Sequence, residues 1–286
     1  MLKSTLRIVQ SDCTLANFDE NLARHVSAVE QAVRDGVSAI AFPELSLTGY
    51  NVQDAAQDMA MHIDDPKLDP LRELSRHICI VCGGIELSDD YGVYNSAFMF
   101  EDGISRSVHR KIYLPTYGMF EELRYFSAGR QVETVESRRL GRIGVAICED
   151  FWHLSVPYLL ANQGAKLLLV LMSSPLRLAP GSGTPRIVSQ WQTIAGTSAF
   201  LFSCYVACVN RVGTEDSFTY WGNSSVTGPD GSVVAAAPMF VEQSMDAVID
   251  YSEVKRARLQ SSHFLDEDLK FFSSELDNII GNRRRG

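Results

Sequence analysis

The chain has 286 residues, a formal net charge of −9, 45% hydrophobic and 21% charged residues. That balance excludes a globally disordered chain, and the acidic excess argues against a nucleic-acid or anionic-membrane partner, both of which need a basic face. The length is enough for an α/β core without disulfide or metal staples.

The first ten residues carry Lys3 and Arg7 but no apolar run, so no secretory signal is expected there. No charge falls between Arg186 and Arg211, but Ser189, Gln190, Gln192 and Thr193 make the first half too polar to span a membrane. A half-buried helix running into a strand is expected instead. Six scattered cysteines without a secretory signal imply reduced thiols and a cytoplasmic setting.

In chain order, residues 6–10 form an apolar strand. Asn17 and Glu20 have the spacing of a capping box, and Leu22, Val26, Val29 and Val33 then mark one helix face. Asp35-Gly36 stops that helix. Residues 37–42 read as a buried strand that ends at Pro43-Glu44. A helix over 68–77 leads into a strand over 78–85. Residues 94–100 and 105–109 read as a hairpin about Asp102-Gly103. A buried strand over 143–147 ends at Cys148, followed by a helix over 153–163 closed by Gly164 and a buried strand over 166–172. After a Gly/Pro/Ser loop over 179–185 come a helix, a strand over 205–210, strands at 224–227 and 233–237 about Pro229-Asp230-Gly231, a strand near 247–250 and a short last helix. No repeat or linker divides the chain, so residues 1–286 read as one domain. Many strands are apolar on both faces, which calls for two packed sheets covered by helices. Residues 263–286 mix Phe264, Leu265, Phe271, Phe272 and Ile279 with charges, as a tail that packs on a partner subunit or frays.

Three residues stand where strands end. Cys148 follows Gly144–Ile147 at the boundary of a strand and an expected helix, where ligands gather in α/β folds and where a helix start offers N–H groups to an oxyanion. Glu44 follows Phe42-Pro43. Lys111 lies in His109-Arg110-Lys111-Ile112-Tyr113-Leu114-Pro115. Singly, each has a plain reading as a core cysteine, a capping glutamate or a surface lysine. Together they make an acid base, a cationic oxyanion donor and a sulfur nucleophile.

Phe42–Tyr50, Arg110–Pro115 and Ala146–Asp150 resemble, in order and spacing, the three signature blocks of the nitrilase (carbon–nitrogen hydrolase) superfamily. Leu114–Phe126 and Val209–Gly213, leading to Gly228–Gly231, are similar to the glutamine amidotransferase domain of glutamine-dependent NAD synthetase. No Ser-Gly-Gly-type ATP-pyrophosphatase loop lies in these residues, so a free-standing amidase of that branch is expected. The resemblance implies an α-β-β-α sandwich, paired through its α faces into a four-layered homodimer or higher oligomer, with no metal and no organic cofactor. It assigns Glu44 as general base, Lys111 as oxyanion cation, Cys148 as nucleophile and Glu122, with Glu121 as the alternative, as accessory acid. Tyr117 and Ser174 fall where the synthetase-linked relatives line their amide pocket, and the Glu149 backbone N–H is the second oxyanion donor. Arg177, after Ser173-Ser174-Pro175, either holds a substrate carboxylate through paired hydrogen bonds or is a surface arginine. The expected reaction is hydrolysis of a small primary amide. Nitrile and N-carbamoyl hydrolysis are the alternatives, and an ammonia-supplying or regulatory subunit is the alternative outside free-standing catalysis. The Asn51–Ala55 segment departs from the synthetase-linked pattern, which leaves the acyl group open.

Other features have structural readings. Cys79-Ile-Val-Cys82 has the spacing of one half of a zinc site, but the two side chains of a strand at i and i+3 face opposite ways. Gly83-Gly84 reads as backbone freedom at a strand end. His109 is placed to tune Lys111, or is solvated, and His153 to line a pocket or cap a helix. Trp152, Trp191 and Trp221 read as core or pocket wall.

Overall fold

The computed structural model describes residues 3–176 and 185–283. The strands are β1 (Lys3–Gln10), β2 (Ala39–Ala41), β3 (Cys79–Leu87), β4 (Val93–Glu101), β5 (Ile104–Arg110), β6 (Thr134–Ser137), β7 (Gly141–Ile147), β8 (Leu167–Met172), β9 (Tyr205–Asn210), β10 (Val212–Glu215), β11 (Phe218–Trp221), β12 (Ser225–Thr227), β13 (Val233–Ala236) and β14 (Gln243–Asp250). The helices are α1 (Phe18–Arg34), α2 (Ala56–Met59), α3 (Asp69–Leu74), α4 (Glu122–Tyr125), α5 (Ser155–Asn162), α6 (Arg186–Phe202), α7 (Tyr251–Gln260) and α8 (Leu269–Arg283).

Two six-stranded sheets form, in the orders β14-β1-β2-β3-β4-β5 and β13-β12-β9-β8-β7-β6. Each has a parallel centre, β1-β2-β3 in the first and β7-β8-β9 in the second, with antiparallel strands at its edges. The apolar runs explain why the sheets stack. In β8, Leu167, Leu169 and Leu171 point between the sheets while Leu168, Val170 and Met172 meet α5 and α6. Burying each such side chain contributes on the order of 1.5–3 kcal/mol. On the first sheet, Cys79 and Val81 face inward and Ile80 and Cys82 face α1 and α3. The Cys79/Cys82 pair is thus split across the sheet, and all six cysteines are unpaired thiols. The result is the expected α-β-β-α sandwich.

The local signals mostly hold. The Asn17 side chain accepts from the Glu20 N–H and also meets the Glu20 carboxylate. Asp102 and Gly103 both have positive φ, the geometry of a tight two-residue hairpin. Several boundaries differ. The buried face of α1 is centred on Asn21, His25, Val29 and Ala32, with Leu22, Val26 and Val33 at its margin. Asn21 and His25 are tolerated inside because each is fully hydrogen-bonded, His25 to the Asn21 carbonyl and Ser46 Oγ. Residues 148–152 form a 3-10 turn before α5. The polar edge strand β6 and the hairpin β10-β11 lack a clear apolar alternation and were not expected. The chain end is two helices, α7 and α8. Within the described part of the tail, residues 263–283, Glu267 accepts from Tyr158 Oη at 2.8 Å and Phe272 packs on the Tyr158 ring.

Candidate active site

Glu44 is placed by a close backbone approach. Beyond β2 the chain folds over β3, with the Phe42 N–H on the Val81 carbonyl, the Gly83 N–H on the Pro43 carbonyl and the Leu47 N–H on the Gly83 carbonyl. A Cβ on Gly83 would stand 2.2 Å from the Leu45 nitrogen and 2.6 Å from the Pro43 oxygen. Gly83 therefore lies within β3 as a contact point, not at a strand end as a source of freedom. Gly83→Ala is expected to cost about 1–3 kcal/mol in a thermal or urea melt, as overpacking does. Turnover, followed by ammonia release, should fall by about tenfold or more because the Glu44 backbone must shift.

Glu44 itself is fully buried. Its Oε1 accepts from Asn95 Nδ2 at 2.8 Å and from Lys111 Nζ at 2.7 Å. Its Oε2 accepts from the Ser173 N–H at 2.8 Å, and Ser173 Oγ donates to the Glu44 carbonyl at 2.8 Å. Because β2 belongs to the first sheet and Ser173 follows β8 of the second, Glu44 bridges both. Oε1 has both lone pairs occupied, whereas Oε2 keeps one to accept a proton.

Lys111 lies one residue past β5 and is 1% exposed. Its Nζ also donates to Glu122 Oε1 at 2.6 Å. Burial pulls the Lys111 ammonium down, but Glu122 and Glu44 together push it well above its usual range. It is a fixed cation with a third N–H to offer. Glu122 opens α4 and is buried, while Glu121 is exposed. That resolves which of the two meets Lys111. The Tyr50 hydroxyl donates to the same Glu122 oxygen at 2.5 Å, and Glu122 Oε2 has no hydrogen-bond partner among the described residues. Burial lifts the Glu122 carboxyl to about 7, against the pull of Lys111.

Cys148 starts the 3-10 turn that follows β7, and it packs against both the inter-sheet core and the α5/α6 side. Its φ of +44° is in the left-handed region. Such a conformation costs about 1–3 kcal/mol and persists only where the surroundings enforce it. It is the one part-exposed cysteine of the six. Packing around the sulfur and the Glu44 carboxylate push the thiol well above its usual range, against the opposing pull of Lys111, with Glu122 and Glu149 also within electrostatic reach. The structure thus brings Glu44, Lys111, Glu122 and Cys148 into one cluster.

The other expected residues are placed less uniformly. Glu149 stands in the first turn after Cys148, where backbone N–H groups have no partner within the turn. Its carboxylate accepts from the half-exposed Tyr117 hydroxyl at 2.9 Å. Ser174 is buried, and its Oγ accepts from the indole N–H groups of Trp191 at 3.1 Å and Trp221 at 3.3 Å. Arg177 and most of the 179–185 loop lie outside the described residues. His109 meets Asp150 at 2.9 Å and not Lys111. His153 stacks on Tyr113 at 3.5 Å, away from a dyad with Cys148. Trp152 is partly exposed and lines a cavity of about 270 Å³ with Arg186 and Thr193. Among the described residues no group of three or more His, Cys, Asp or Glu could hold a metal ion, and no helix is long and apolar enough to cross a membrane.

Asn95, Tyr50, Ser173 and Asp150 belong to this cluster or its immediate support and were not singled out from sequence. Asn95 sits in an ordinary strand context, whereas Tyr50 and Asp150 close signature blocks already in view and Ser173 lies beside Ser174.

A fold of two helix-covered sheets with a Glu–Lys–Cys cluster at their strand ends defines a class, and comparison with known proteins identifies it. Residues 5–259 match the carbon-nitrogen hydrolase family model. The chain belongs to the carbon–nitrogen hydrolase family. It is 30% identical over 94% of its length to the glutamine-dependent NAD(+) synthetase of Acinetobacter baylyi, of which it covers 48%. The chain thus spans about half the length of the synthetases it matches. It is 29% identical to a citrullinase of Francisella tularensis, over 87% of this chain and 90% of that protein. The crystal structure of a carbon-nitrogen hydrolase from Helicobacter pylori has the same fold, with a TM-score of 0.87 and 23% identity over 96% of this chain and 98% of that one.

Proposed function

We propose that residues 1–286 act as one hydrolase unit that cleaves the carbon–nitrogen bond of a small primary amide through a cysteine thioester. The observation that carries this reading is the Lys111 ammonium, bonded to Glu44 and Glu122 in the cluster that holds Cys148. A thiol held well above its usual range is neutral at pH 7, so its proton must leave during attack. Cys148 Sγ bonds to the amide carbon as its proton passes to Glu44 Oε2. The carbonyl electron pair moves onto oxygen, where the third Lys111 N–H and the Glu149 backbone N–H receive it; one such donor is worth ~3 kcal/mol. Glu44 returns the proton to the nitrogen, the carbon–nitrogen bond breaks and ammonia leaves. Water then loses a proton to Glu44 and attacks the thioester, the carbon–sulfur bond breaks, and the thiol recovers its proton.

In this reading the open Oε2 of Glu122 accepts an N–H of the substrate amide, which requires the ionised form. With the Glu122 carboxyl at about 7, kcat/KM is expected to rise with pH through that value. Glu122→Gln should remove this limb, read by ammonia release from about pH 5 to about pH 9.

Hydrolysis of a carbamoyl group is the second reading. It is supported by the match along 90% of a citrullinase. Ammonia supply to a separate synthetase is supported by the match to half of the NAD synthetases. The unpaired thiols support a cytoplasmic setting, and exposed Leu159, Phe200 and Leu201 on the outer helices support a homodimer or higher oligomer. The deciding experiment is ammonia release by the purified protein from L-glutamine, L-citrulline, aliphatic amides and nitriles, with mass spectrometry of Cys148 for an acyl adduct. Turnover without any adduct would overturn the thioester route. Turnover only with a second protein present would favour the subunit reading.

A further inference from the structure

Asp150 is fully buried, and its carboxylate gathers four donors from two stretches of chain. Oδ1 accepts from the Ile112 and Tyr113 N–H groups, each at 2.9 Å. Oδ2 accepts from the Ile147 N–H at 3.1 Å and lies 2.9 Å from His109 Nε2. A carboxylate only accepts, so that ring nitrogen carries the hydrogen.

The placement of these donors is specific. His109 and Ile112 flank Lys111 on both sides, at the end of β5 in the first sheet. Ile147 precedes Cys148, at the end of β7 in the second sheet. The same contact holds the turn in which Cys148 takes its positive φ. No other residue described above fixes the backbone beside the cation and the backbone beside the thiol at once.

We infer that Asp150 is a positioning residue, a single acceptor-only staple that sets Lys111 against Cys148 by tying the two strand ends across the sheets. The inference rests on the proposed roles of Lys111 and Cys148. Its chemistry is strict because all four partners donate. An asparagine of the same shape must aim its own N–H₂ either at Ile147 or at the Ile112/Tyr113 pair. His109 can exchange tautomer to accommodate it, but a backbone N–H cannot. The strand ends must therefore separate, and the Lys111 ammonium moves relative to the sulfur.

Asp150→Asn is the test, with two readouts. Iodoacetamide alkylation of Cys148, followed by mass spectrometry at about pH 9, needs no substrate and reads how well Lys111 supports the thiolate. Ammonia release from the best amide of the screen above reads turnover. The expected result is a folded variant by circular dichroism, alkylation slowed by about fivefold or more, and kcat lowered by about 10- to 100-fold with KM changed by less than about threefold. Should the variant not fold, His109→Phe removes one donor and keeps the three backbone bonds. It is expected to slow alkylation by about twofold or more, with kcat reduced in the same direction. A folded Asp150→Asn protein with wild-type alkylation and kcat overturns the inference, and so does an unchanged His109→Phe protein where Asp150→Asn does not fold. Activity retained by Cys148→Ala would instead overturn the underlying reading, while an inactive Cys148→Ala beside an unaffected Asp150→Asn would sink the staple alone.

Discussion

Replacing Cys148 with alanine is expected to abolish turnover, by about 10⁴-fold or more, because no other sulfur can reach the substrate. The remaining five cysteines are buried. The fold should survive. Alanine accepts the same positive φ at the same cost, and only one sulfur atom is lost from a part-exposed position. Ammonia release measures the first outcome, and a melting curve matching that of the parent protein measures the second. A Cys148→Ala protein that melts normally and still hydrolyses amides would remove sulfur from the mechanism.

The second large effect is expected at Lys111. Lys111→Met keeps an unbranched side chain one atom shorter but leaves Glu44 and Glu122 facing each other inside the protein without a cation. Removing one partner from a buried ion cluster costs about 3–5 kcal/mol. Losing an oxyanion donor costs about 10²- to 10³-fold in kcat. The pH dependence gives the sign. Without Lys111, at least one of the paired carboxyls is raised above its unfolded value. Such a group contributes stability at low pH that is lost as pH rises through the folded value. The variant should therefore fall furthest behind the parent protein at neutral pH and recover part of the gap on acidification, as read by urea melts at about pH 5 and about pH 8. An equal gap at both values would mean that the two carboxylates are not the source of the loss.

These effects fall on residues that the sequence exposes well, for a physical reason. Glu44, Lys111 and Cys148 each interrupt an apolar or alternating strand run, and the interruption is visible without knowing what lies across from it. Their supports are less visible. Asn95 is one polar residue in β4, where polar positions are common, and its bond to Glu44 joins residues 51 positions apart. The Glu44–Ser173 bond spans 129 positions and uses a backbone N–H that every residue but proline has. The face of α1 shows the same limit. Counting apolar residues centres it on Leu22 and Val26, whereas buried hydrogen bonds centre it on Asn21 and His25. The hairpin β10-β11 escapes notice because a charged residue, Glu215, is buried in β10, where it pairs with Arg211 at 2.6 Å and accepts from the Tyr50 N–H. Gly83 shows how a correct observation acquires a different cause. The glycine is legible, but only the packed chain reveals the backbone that crosses it.

The bridge from Glu44 to Ser173 also bears on how the protein becomes competent. On the proposed mechanism neither sheet holds a complete set of reacting groups, so a chain with native helices and strands but undocked layers is expected to be chemically silent. During renaturation, far-ultraviolet signal should return before turnover does. The lag between the two would time the closure of the sandwich, and a half-built molecule would release no nitrogen from the amides around it.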